Sequence, residues 1–408
     1  MVNIVGLGYI GFPTALSFAA NGVKVTGTDC NLKRVEILQA GEMPFEEDGL
    51  QELWGRGKGN IVFTDKCVKS DVYIIAVPTP YDKTTKRIDP SYVITAVLDV
   101  LKVAPIGAAI VIESTISPGT TDRYIRPAVK DAGFITGENI HLVHAPERII
   151  PGSMICELIE NSRTIGADSP EIAEKIKHLY QNFCKGEIIC TDIRTAEMTK
   201  VVENAFRDIN IAYANELLKI CGEGGLDAHE IIRIANKHPR VNILNPGPGV
   251  GGHCIHIDPW FLVGDYPATA NLIRTARQIN DSMPQYVLER AVGIMDETGI
   301  TDVSKVGFYG LTYKENVDDI RESPTLQLLE AMRCRMALPP KIYDPYIKNQ
   351  IAENQVFSLG EFLNGLDMVV IMVAHEEILK KQELLKDKIV LDTRNSLKTS
   401  GISNIFKL

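Results

Sequence analysis

Short apolar stretches, each about the length of one buried β-strand, recur along the first half of the chain and alternate with helix-length segments. They occupy residues 2–5, 23–27, 72–77, 108–113, 139–144, 163–167 and 187–190. Nearly continuous apolar runs are typical of parallel strands, because helices cover both faces of such a sheet. Helix patterns at 12–21 and 90–103 supply that cover. The alternation therefore predicts a doubly wound α/β domain.

The pattern changes at residue 195, where one apolar-periodic segment runs to residue 222 without proline or internal glycine. We expect a single long helix there, which connects domains and offers a dimer surface. Further helices are predicted at 228–236 and 269–297. A second α/β pattern follows, with strands at 306–309, 341–343, 368–373 and 389–391 and helices at 325–335 and 359–363.

The predicted fold class is thus α/β, with two Rossmann-like doubly wound domains joined by a long central helix and a helical dimerisation region. The expected domains are 1–190, which would bind a dinucleotide, 191–298, which would be helical, and 299–408. A chain of 408 residues is too long for one ordinary core, so several domains are expected on length alone.

Composition excludes several classes of function. The net charge is −9 and the chain has no basic block, so nucleic acid is not an expected partner. No apolar run approaches the roughly 20 residues that span a bilayer, and the start of the chain lacks the pattern of a secretory signal. We therefore expect a cytoplasmic protein. Its eight cysteines contain no C-x-x-C pair, so neither a zinc site nor a disulfide framework is predicted.

A dinucleotide-binding motif follows the first predicted strand. Gly6 permits a tight turn, Gly8 lets the backbone approach a pyrophosphate, and Gly11 lets helix and strand pack closely. The helix that follows directs N–H groups at the phosphates. Asp29 ends the next strand and suits both ribose hydroxyls, whereas it would repel a 2′-phosphate. NAD is therefore the expected cofactor, in preference to NADP.

Loops at the carboxyl ends of later strands carry Thr79, Thr115 and the stretch 145–148. Ligands bind at this edge of such sheets, so we expect these loops to converge on the nicotinamide end of the cofactor. The alternative for Thr79 and Thr115 is ordinary turn chemistry, because threonine is a common turn and cap residue.

Residues 247–260 contain four glycines and two prolines around Cys254, and Asp258 follows one turn later. Such a segment favours neither helix nor strand, so we expect a shaped loop that presents Cys254 and Asp258. A rigid turn around a buried, inert cysteine is the alternative. The long helix places Lys200, Asn204 and Arg207 on one face, which is either a site or a solvated stripe.

An NAD site and a cysteine loop together suggest oxidation through a covalent sulfur adduct. A thiolate attacks an aldehyde, hydride leaves the resulting thiohemiacetal, and water releases the acid from the thioester. Lys200, Asp258 and Glu147 are candidate bases, and Asn204 can polarise an oxygen. The turn at 310–315 lacks a glycine motif. Its Tyr313 and Lys314 would suit the nucleotide part of a substrate.

The chain resembles the UDP-glucose/GDP-mannose dehydrogenase family in six motifs, which are GLGYIG, STISPGTT, APERIIPG, EMTKVVENAFRDINIAYANEL, GPGVGGHCIHIDPW and GLTYKENVDDIRESP. Members oxidise the C6 alcohol of a nucleotide sugar twice, with NAD. GPGVGGHCI and DPWF are closer to the branch that oxidises UDP-N-acetyl-D-mannosamine than to the UDP-glucose enzymes. The latter favour G-x-C-L-P-K-D and carry a glutamate where this chain has Pro151.

The resemblance implies a role for each matched residue. The catalytic residues it implies are Cys254 as nucleophile, Lys200, Asn204, Asp258 and Glu147. The cofactor contacts it implies are Gly6, Gly8, Tyr9, Ile10, Gly11, Asp29, Thr79, Thr115 and Arg321. The substrate contacts it implies are Arg148, Ile149, Lys200, Asn204, Arg207, His238, Arg240, Gly251, Tyr313 and Lys314.

His238 and Arg240 would serve the partner subunit's site, because the family is dimeric or larger. The stretch 392–395 resembles an element near the uridine, whereas His253 and His256 receive no role. Alternatives that the sequence leaves open are the same chemistry on UDP-N-acetylglucosamine or UDP-glucose, a non-catalytic regulator that binds NAD and a nucleotide sugar, and a one-step dehydrogenase of the 6-phosphogluconate type.

Overall fold

Two parallel-sheet units make up the computed structural model, which describes residues 1–252, 254–333, 339–398 and 404–408. The first unit comprises Met1–Glu203 with Phe261–Pro267, and the second Asn204–Trp260 with Ala268–Leu408. The predicted fold class, α/β with two Rossmann-like sheets and a long central helix, is confirmed. His253 and Cys334 lie outside the described residues.

The first unit contains an eight-stranded sheet in the order β3-β2-β1-β4-β5-β6-β7-β8. Its strands are β1 Val2–Val5, β2 Val25–Thr28, β3 Ile61–Thr64, β4 Val72–Ile75, β5 Ala108–Ile112, β6 Ile140–His144, β7 Arg163–Ala167 and β8 Ile188–Thr191. The sequence pattern missed β3, an edge strand whose side chains alternate between buried and exposed. It also could not show that β7 runs antiparallel to β6, the one such pair in this sheet.

Helices cover this sheet, and their bounds are α1 Gly11–Ala20, α2 Leu32–Gln39, α3 Leu50–Gly57, α4 Ser91–Leu101, α5 Arg126–Asp131, α6 Met154–Glu160 and α7 Pro170–Tyr180. A π-helical turn at Thr121–Ile125 precedes α5. Nine of the ten residues of α1 are buried, because this helix packs between the sheet and its neighbours. Close packing of α1 on the strands brings its N-terminus to the carboxyl end of β1.

A buried cluster of charges lies where β5 and β6 end. Glu113 follows β5, Glu147 follows β6, and the antiparallel direction of β7 brings Arg163 to the same edge. The guanidinium donates to Glu113 at 3.1 Å and to Glu147, and stacks 4.2 Å from the ring centre of Tyr180. Tyr180 donates to Glu113 at 3.0 Å. Burial, and then the neighbouring carboxylate of Glu147, raise the pKa of Glu113 to about 7, although Arg163 acts in the opposite direction.

The long helix α8, Ile193–Gly224, crosses from the first unit into the second. Four helices follow it, α9 Ala228–Ala235, α10 Asp258–Asp265, α11 Asn271–Asp281 and α12 Met283–Thr298. The single helix expected at 269–297 is therefore two. A new helix begins at Met283 because Pro284 has no N–H to continue the earlier one. The loop expected at 247–260 likewise ends sooner, since α10 begins at Asp258.

The second unit contains a six-stranded sheet in the order β11-β10-β9-β12-β13-β14, with every neighbouring pair parallel. Its strands are β9 Val306–Tyr309, β10 Lys341–Tyr343, β11 Gln355–Val356, β12 Met368–Ile371, β13 Ile389–Asp392 and β14 Ile405–Lys407. The helices are α13 Pro324–Arg333, α14 Leu359–Leu363 and α15 Glu376–Lys380, with 3₁₀ turns at Val303–Lys305 and Gln382–Leu385. The short outer strands β11 and β14 were not predicted, because two or three residues show no period.

Among the described residues, no helix combines the length and apolar character needed to cross a membrane. The seven cysteines within the described ranges form no disulfide, and no group of three potential metal ligands occurs there.

The charge cluster predicts a pH-dependent stability. A carboxyl whose pKa is about 7 when folded and near its ordinary value when unfolded holds its proton longer in the folded state. The contribution of this proton to the free energy of unfolding is complete below the pKa of the unfolded state and is lost as pH rises through 7. The neutral Glu113→Gln variant should therefore gain stability relative to the wild type between pH 5 and pH 8, by on the order of 2 kcal/mol.

Thermal unfolding at several pH values measures this difference. Glu138→Gln, at an exposed position of the same unit, is the matched control and should show no such trend. A constant difference between Glu113→Gln and wild type across this pH range would show that Glu113 is already ionised at pH 5.

Candidate active site

The turn after β1 has the geometry that a dinucleotide requires. Gly6 has φ of +93°, and a Cβ there would lie 2.5 Å from the carbonyl oxygen of Ala76. A Cβ on Gly11 would lie 1.9 Å from the carbonyl oxygen of Gly6, so helix and turn are in direct contact. Gly8 faces open space, with only Arg34 within 4 Å of its added Cβ. A pyrophosphate can therefore approach the backbone beside the N-terminus of α1.

Asp29 is fixed in place at the end of β2. One oxygen accepts from the N–H of Leu7 at 2.8 Å, and the other accepts from the N–H of Asn31 at 2.8 Å. The guanidinium of Arg34 lies 3.4 Å from the first oxygen. The carboxylate is thus oriented by the same turn that would hold the phosphates, which suits ribose hydroxyls. Sequence analysis missed Arg34, whose only sequence signal is a basic residue five positions after the acid.

Other predicted cofactor residues of the first unit lie along the same edge of the sheet. Tyr9 stacks on Phe45 with ring centres 4.5 Å apart, and Ile10 precedes α1. Thr79 is buried after β4, and Thr115 is half-buried after β5. Arg321 differs from these, because it belongs to the second unit.

The loop that carries Thr115 is anchored by two acidic residues that sequence analysis missed. Glu197 on α8 accepts from the N–H and the hydroxyl of Thr121, at 3.0 and 2.7 Å. Asp265, which ends α10, accepts from Arg123 at 3.0 and 2.7 Å and from Ser117. Glu197 is buried although it lies on a helix, and no sequence signal distinguishes it from a surface glutamate.

Glu147 and Arg148 are both engaged within the first unit. Glu147 accepts from the N–H of Arg148 at 2.7 Å and from the buried Arg163, so each carboxylate oxygen has a donor. Arg148 donates to the carbonyl of Ser162 at 2.8 Å and pairs with Glu203 at 2.6 Å. Ile149 follows and is buried. Glu147 is therefore a rigid acceptor at the carboxyl edge of the sheet.

The helix α8 presents its predicted residues in two environments. Lys200 and Asn204 are buried, and Arg207 is exposed. Lys200 belongs to the first unit, whereas Asn204 belongs to the second. Asn204 donates its amide to the carboxylate of Asp258 at 2.6 Å. The structure thus joins two predicted catalytic residues that are 54 positions apart, and Asp258 lies at the N-terminus of α10, where a carboxylate is favoured.

Cys254 is exposed and lies in the turn that leads into α10. Its carbonyl oxygen accepts from the N–H groups of Ile257 and Asp258, at 3.1 and 2.8 Å. Before it, Gly249 and Gly252 have φ of +136° and +84°, which other residues rarely adopt. This backbone places the thiol one helical turn before the carboxylate that Asn204 holds.

Tyr313 packs directly on the glycines ahead of Cys254. A Cβ on Gly251 would lie 2.6 Å from Cβ of Tyr313, and one on Gly252 would lie 2.9 Å from its ring. The N–H of Gly252 donates to the carbonyl of Arg321 at 2.8 Å, and the guanidinium of Arg321 donates to Asp319 at 2.6–3.0 Å. Gly251, which was expected to touch substrate, is required here by packing.

The remaining predicted substrate residues of the second unit are more open. Lys314 is half-buried, and its carbonyl accepts from Thr312 at 2.9 Å. His238 and Arg240 are exposed in the turn after α9. In the stretch 392–395, Arg394 donates to the carbonyl of Met372 at 3.2 Å, and its guanidinium would lie 3.1 Å from a Cβ on Gly247.

The turn after β9 repeats the turn after β1 with one difference. Gly310 has φ of +98°, and the N–H of Leu311 donates to Asp344 at 2.6 Å. Asp344 thus corresponds to Asp29 in the first sheet. However, the buried ring of His375 donates to the same carboxylate oxygen at 3.1 Å. The acid of the second sheet is therefore already engaged.

Three family models match the chain in succession. They are the NAD binding domain, the central domain and the UDP binding domain of the UDP-glucose/GDP-mannose dehydrogenase family, over residues 1–184, 194–282 and 307–399. The chain is similar to the UDP-N-acetyl-D-mannosamine dehydrogenase of Methanocaldococcus jannaschii, with 44% identity over 97% of this chain and 92% of that protein. It is 40% identical to the NDP-N-acetyl-D-galactosaminuronic acid dehydrogenase of Ralstonia nicotianae, over 96% of this chain and 95% of that protein.

Solved structures agree with these matches. The UDP-N-acetyl-mannosamine dehydrogenase of Staphylococcus aureus superposes with a TM-score of 0.89 at 40% identity, covering 100% of this chain and 97% of that one. The UDP-D-ManNAc dehydrogenase of Pyrococcus horikoshii superposes with a TM-score of 0.92 at 35% identity, covering 100% of this chain and 99% of that one. The chain belongs to the UDP-glucose/GDP-mannose dehydrogenase family and is an NAD-dependent nucleotide-sugar dehydrogenase.

Proposed function

We propose that this enzyme oxidises the C6 alcohol of UDP-N-acetyl-D-mannosamine to the uronate, using two NAD and one water. The observation that carries the proposal is the arrangement in the second unit, where exposed Cys254 precedes Asp258 by one turn and Asn204 holds the carboxylate at 2.6 Å. Four relatives that carry this substrate in their names are 42–44% identical over nearly the whole chain.

NAD, when bound at the turn of Gly6, Gly8 and Gly11, supplies the hydride acceptor for each oxidation. The first oxidation converts the alcohol to an aldehyde, with a base taking the hydroxyl proton. Cys254 then bonds to the aldehyde carbon as a thiohemiacetal. Loss of a second hydride and of the hydroxyl proton leaves a thioester, and water replaces sulfur to release the acid and the thiol.

Asp258, Asn204, Lys200 and Glu147 divide the handling of protons and charge. Asp258 accepts the proton of the attacking water, and Asn204 orients its carboxylate by donating to one oxygen. Lys200 supplies positive charge to the oxyanion of each tetrahedral adduct. Glu147, whose two oxygens already have donors, serves to orient water. Tyr313 and Lys314 contact the nucleotide part of the substrate, and Arg394 contacts the uridine side.

The same chemistry on UDP-N-acetylglucosamine or UDP-glucose is the rival reaction. One solved relative, 25% identical with a TM-score of 0.86, is a UDP-glucose dehydrogenase, so the family fold alone does not choose the sugar. The choice of UDP-N-acetyl-D-mannosamine rests on the four relatives of that name at 42–44% identity, against 40% for the NDP-N-acetyl-D-galactosaminuronic acid dehydrogenase, and on the stretch 247–261.

The decisive experiment measures NADH formed from a panel of UDP-sugars. UDP-N-acetyl-D-mannosamine should give the highest kcat/KM and two NADH per sugar consumed. A higher kcat/KM with UDP-N-acetylglucosamine, UDP-glucose or another sugar of the panel would overturn the substrate assignment and leave the family unchanged.

Cys254→Ser tests the covalent step within the same assay. Without a thiolate, turnover should fall by at least about a thousandfold, because nucleophile and aldehyde no longer form the adduct that passes on the second hydride. The cofactor should still bind, and quenching of tryptophan fluorescence by NAD, or the change in NADH fluorescence when NADH binds, measures this. Cys156→Ser, at another exposed cysteine, is the control. Undiminished acid formation by Cys254→Ser would refute the covalent mechanism.

Discrimination between NAD and NADP is a second property that we propose. Asp29→Asn removes the negative charge that would repel a 2′-phosphate. Arg34, whose guanidinium lies 3.4 Å from the Asp29 carboxylate in the wild type, would then attract that phosphate. We expect KM for NAD to rise about tenfold, which corresponds to ~1.4 kcal/mol of lost interaction. The ratio of kcat/KM with NAD to kcat/KM with NADP should fall. Initial rates with both cofactors measure this, with exposed Asp65→Asn as control. An unchanged cofactor preference would exclude the role of Asp29.

We also propose a homodimer, or a larger assembly built from it, that pairs through α8. Four large apolar side chains spaced by four and seven residues follow one face of this helix, and each is 46–67% exposed, namely Val202, Phe206, Tyr213 and Ile220. Phe206→Glu should shift the sedimentation coefficient towards the monomer, because it buries a charge in the pairing surface. Ile106→Glu, at an exposed apolar residue elsewhere, should not. A dimer that survives Phe206→Glu unchanged would place the interface elsewhere.

A further inference from the structure

Both ends of the segment that carries Cys254 are attached to one buried polar network. At its start, the N–H of Gly247 donates to the side-chain oxygen of Asn215 on α8, at 2.9 Å. At its end, His256 is only 7% exposed and lies among polar groups of two other segments. Between these two points the backbone is rich in glycine, and the N–H of Gly252 donates to the carbonyl of Arg321 at 2.8 Å.

The centre of the network is Arg277 on α11, which is completely buried. Its guanidinium pairs with Asp208 on α8 and with Asp281 one turn further along α11. Asn280 donates to the carboxylate of Asp208 at 2.8 Å and accepts from Asn215 at 2.8 Å. The chain of contacts from Gly247 therefore ends on the same ion pair that His256 reaches from the other side.

His256 makes three close contacts through its ring nitrogens. Nδ1 lies 3.3 Å from the guanidinium of Arg277 and 3.2 Å from the carbonyl oxygen of Val250. Nε2 lies 3.4 Å from the carboxylate of Glu322. Arginine can only donate and an ionised carboxylate can only accept. A neutral ring with its proton on Nε2 satisfies Arg277 and Glu322 at once, since Nδ1 then accepts from Arg277 and Nε2 donates to Glu322, whereas the carbonyl oxygen of Val250 receives no proton from this tautomer.

Electrostatics favours that neutral form. Burial, and then the neighbouring charge of Arg277, lower the pKa of His256, although Asp281 and Glu322 act in the opposite direction. The neutral ring is a bridge between the helix α11 and the segment at Glu322, whose carbonyl would lie 2.7 Å from a Cβ on Gly251. His256 thus links α11 to the segment at Glu322, on which the glycine ahead of Cys254 packs.

We propose that His256 is a positioning residue for Cys254, which fixes the thiol by bridging Arg277 and Glu322 at the end of the 247–256 loop. The proposal rests on the covalent role of Cys254 proposed above. It assigns to His256 no contact with substrate or cofactor. It predicts that loss of the bridge affects the chemical step more than the binding of NAD.

Three substitutions test the bridge through its two nitrogens. His256→Ala removes both contacts, His256→Gln places an amide donor where Nε2 lies, and His256→Asn places a polar group only where Nδ1 lies. We expect His256→Ala to lower kcat at least tenfold while KM for NAD stays within twofold. His256→Gln and His256→Asn each keep one of the two contacts, so the kcat of each should lie between that of His256→Ala and that of wild type. Failure of His256→Gln to exceed His256→Ala would overturn the proposal.

The reactivity of the thiol gives a readout that needs no substrate. The rate at which iodoacetamide alkylates Cys254, followed by peptide mass spectrometry, should change at least threefold in His256→Ala and return towards wild type in His256→Gln. Cys156, which is exposed in the first unit, is the internal reference and should react at an unchanged rate. A wild-type kcat together with a wild-type alkylation rate in His256→Ala would also overturn the proposal.

Should His256→Ala not fold, Glu322→Ala removes the other partner and leaves the buried ion pair intact. Its kcat should fall at least threefold and its Cys254 alkylation rate should change, and wild-type values for both would count against the bridge. Failure of the covalent mechanism is distinct, because it would appear as activity in Cys254→Ser, whichever result the His256 variants give.

Discussion

The buried guanidinium of Arg277 is the interaction on which the cysteine segment depends. Pairing with Asp208 and Asp281 compensates for its removal from water, and loss of one partner of such a pair costs about 3–5 kcal/mol. A glycine-rich loop has more conformational entropy to lose than any other, about 1–2 kcal/mol per residue fixed. Two of the contacts that order the loop around Cys254, those through Asn215 and His256, lead back to Arg277.

The first unit uses the same device at a different place. Arg163 lies buried between Glu113 and Glu147, and it holds Glu147 at the carboxyl edge of the sheet. In each unit a buried arginine contacts a buried side chain of a candidate-site loop, Glu147 in the first unit and His256 in the second. Such groups are oriented before any ligand arrives, which is the physical basis of preorganised electrostatics. Burying these charges costs free energy, and the cost is offset only while each charge keeps its partner.

The two sheets show how one topology serves two purposes. Both turns after the first strand begin with a glycine at positive φ, and both direct an N–H at the acid that ends the next strand. In the first sheet, Asp29 stands beside an open backbone at Gly8. In the second, His375 covers Asp344 and no further glycines follow. The difference between a dinucleotide turn and a structural turn therefore lies in a few side chains, whereas strand order is common to both.

Sequence alone determined the fold class, the NAD turn and the candidate nucleophile, because apolar period, glycine spacing and a lone thiol among glycines are local properties. It could not supply the edge strands β3, β11 and β14, which are too short or too half-buried to show a period. Nor could it supply the Asn204–Asp258 bond, the buried Glu197, or a role for His256. These contacts join residues that are distant in the chain, and hydrogen bonding at a buried site depends on what burial brings together. Tertiary structure alone decides which polar residues pair, because folding removes water from these side chains and places a partner within hydrogen-bond distance.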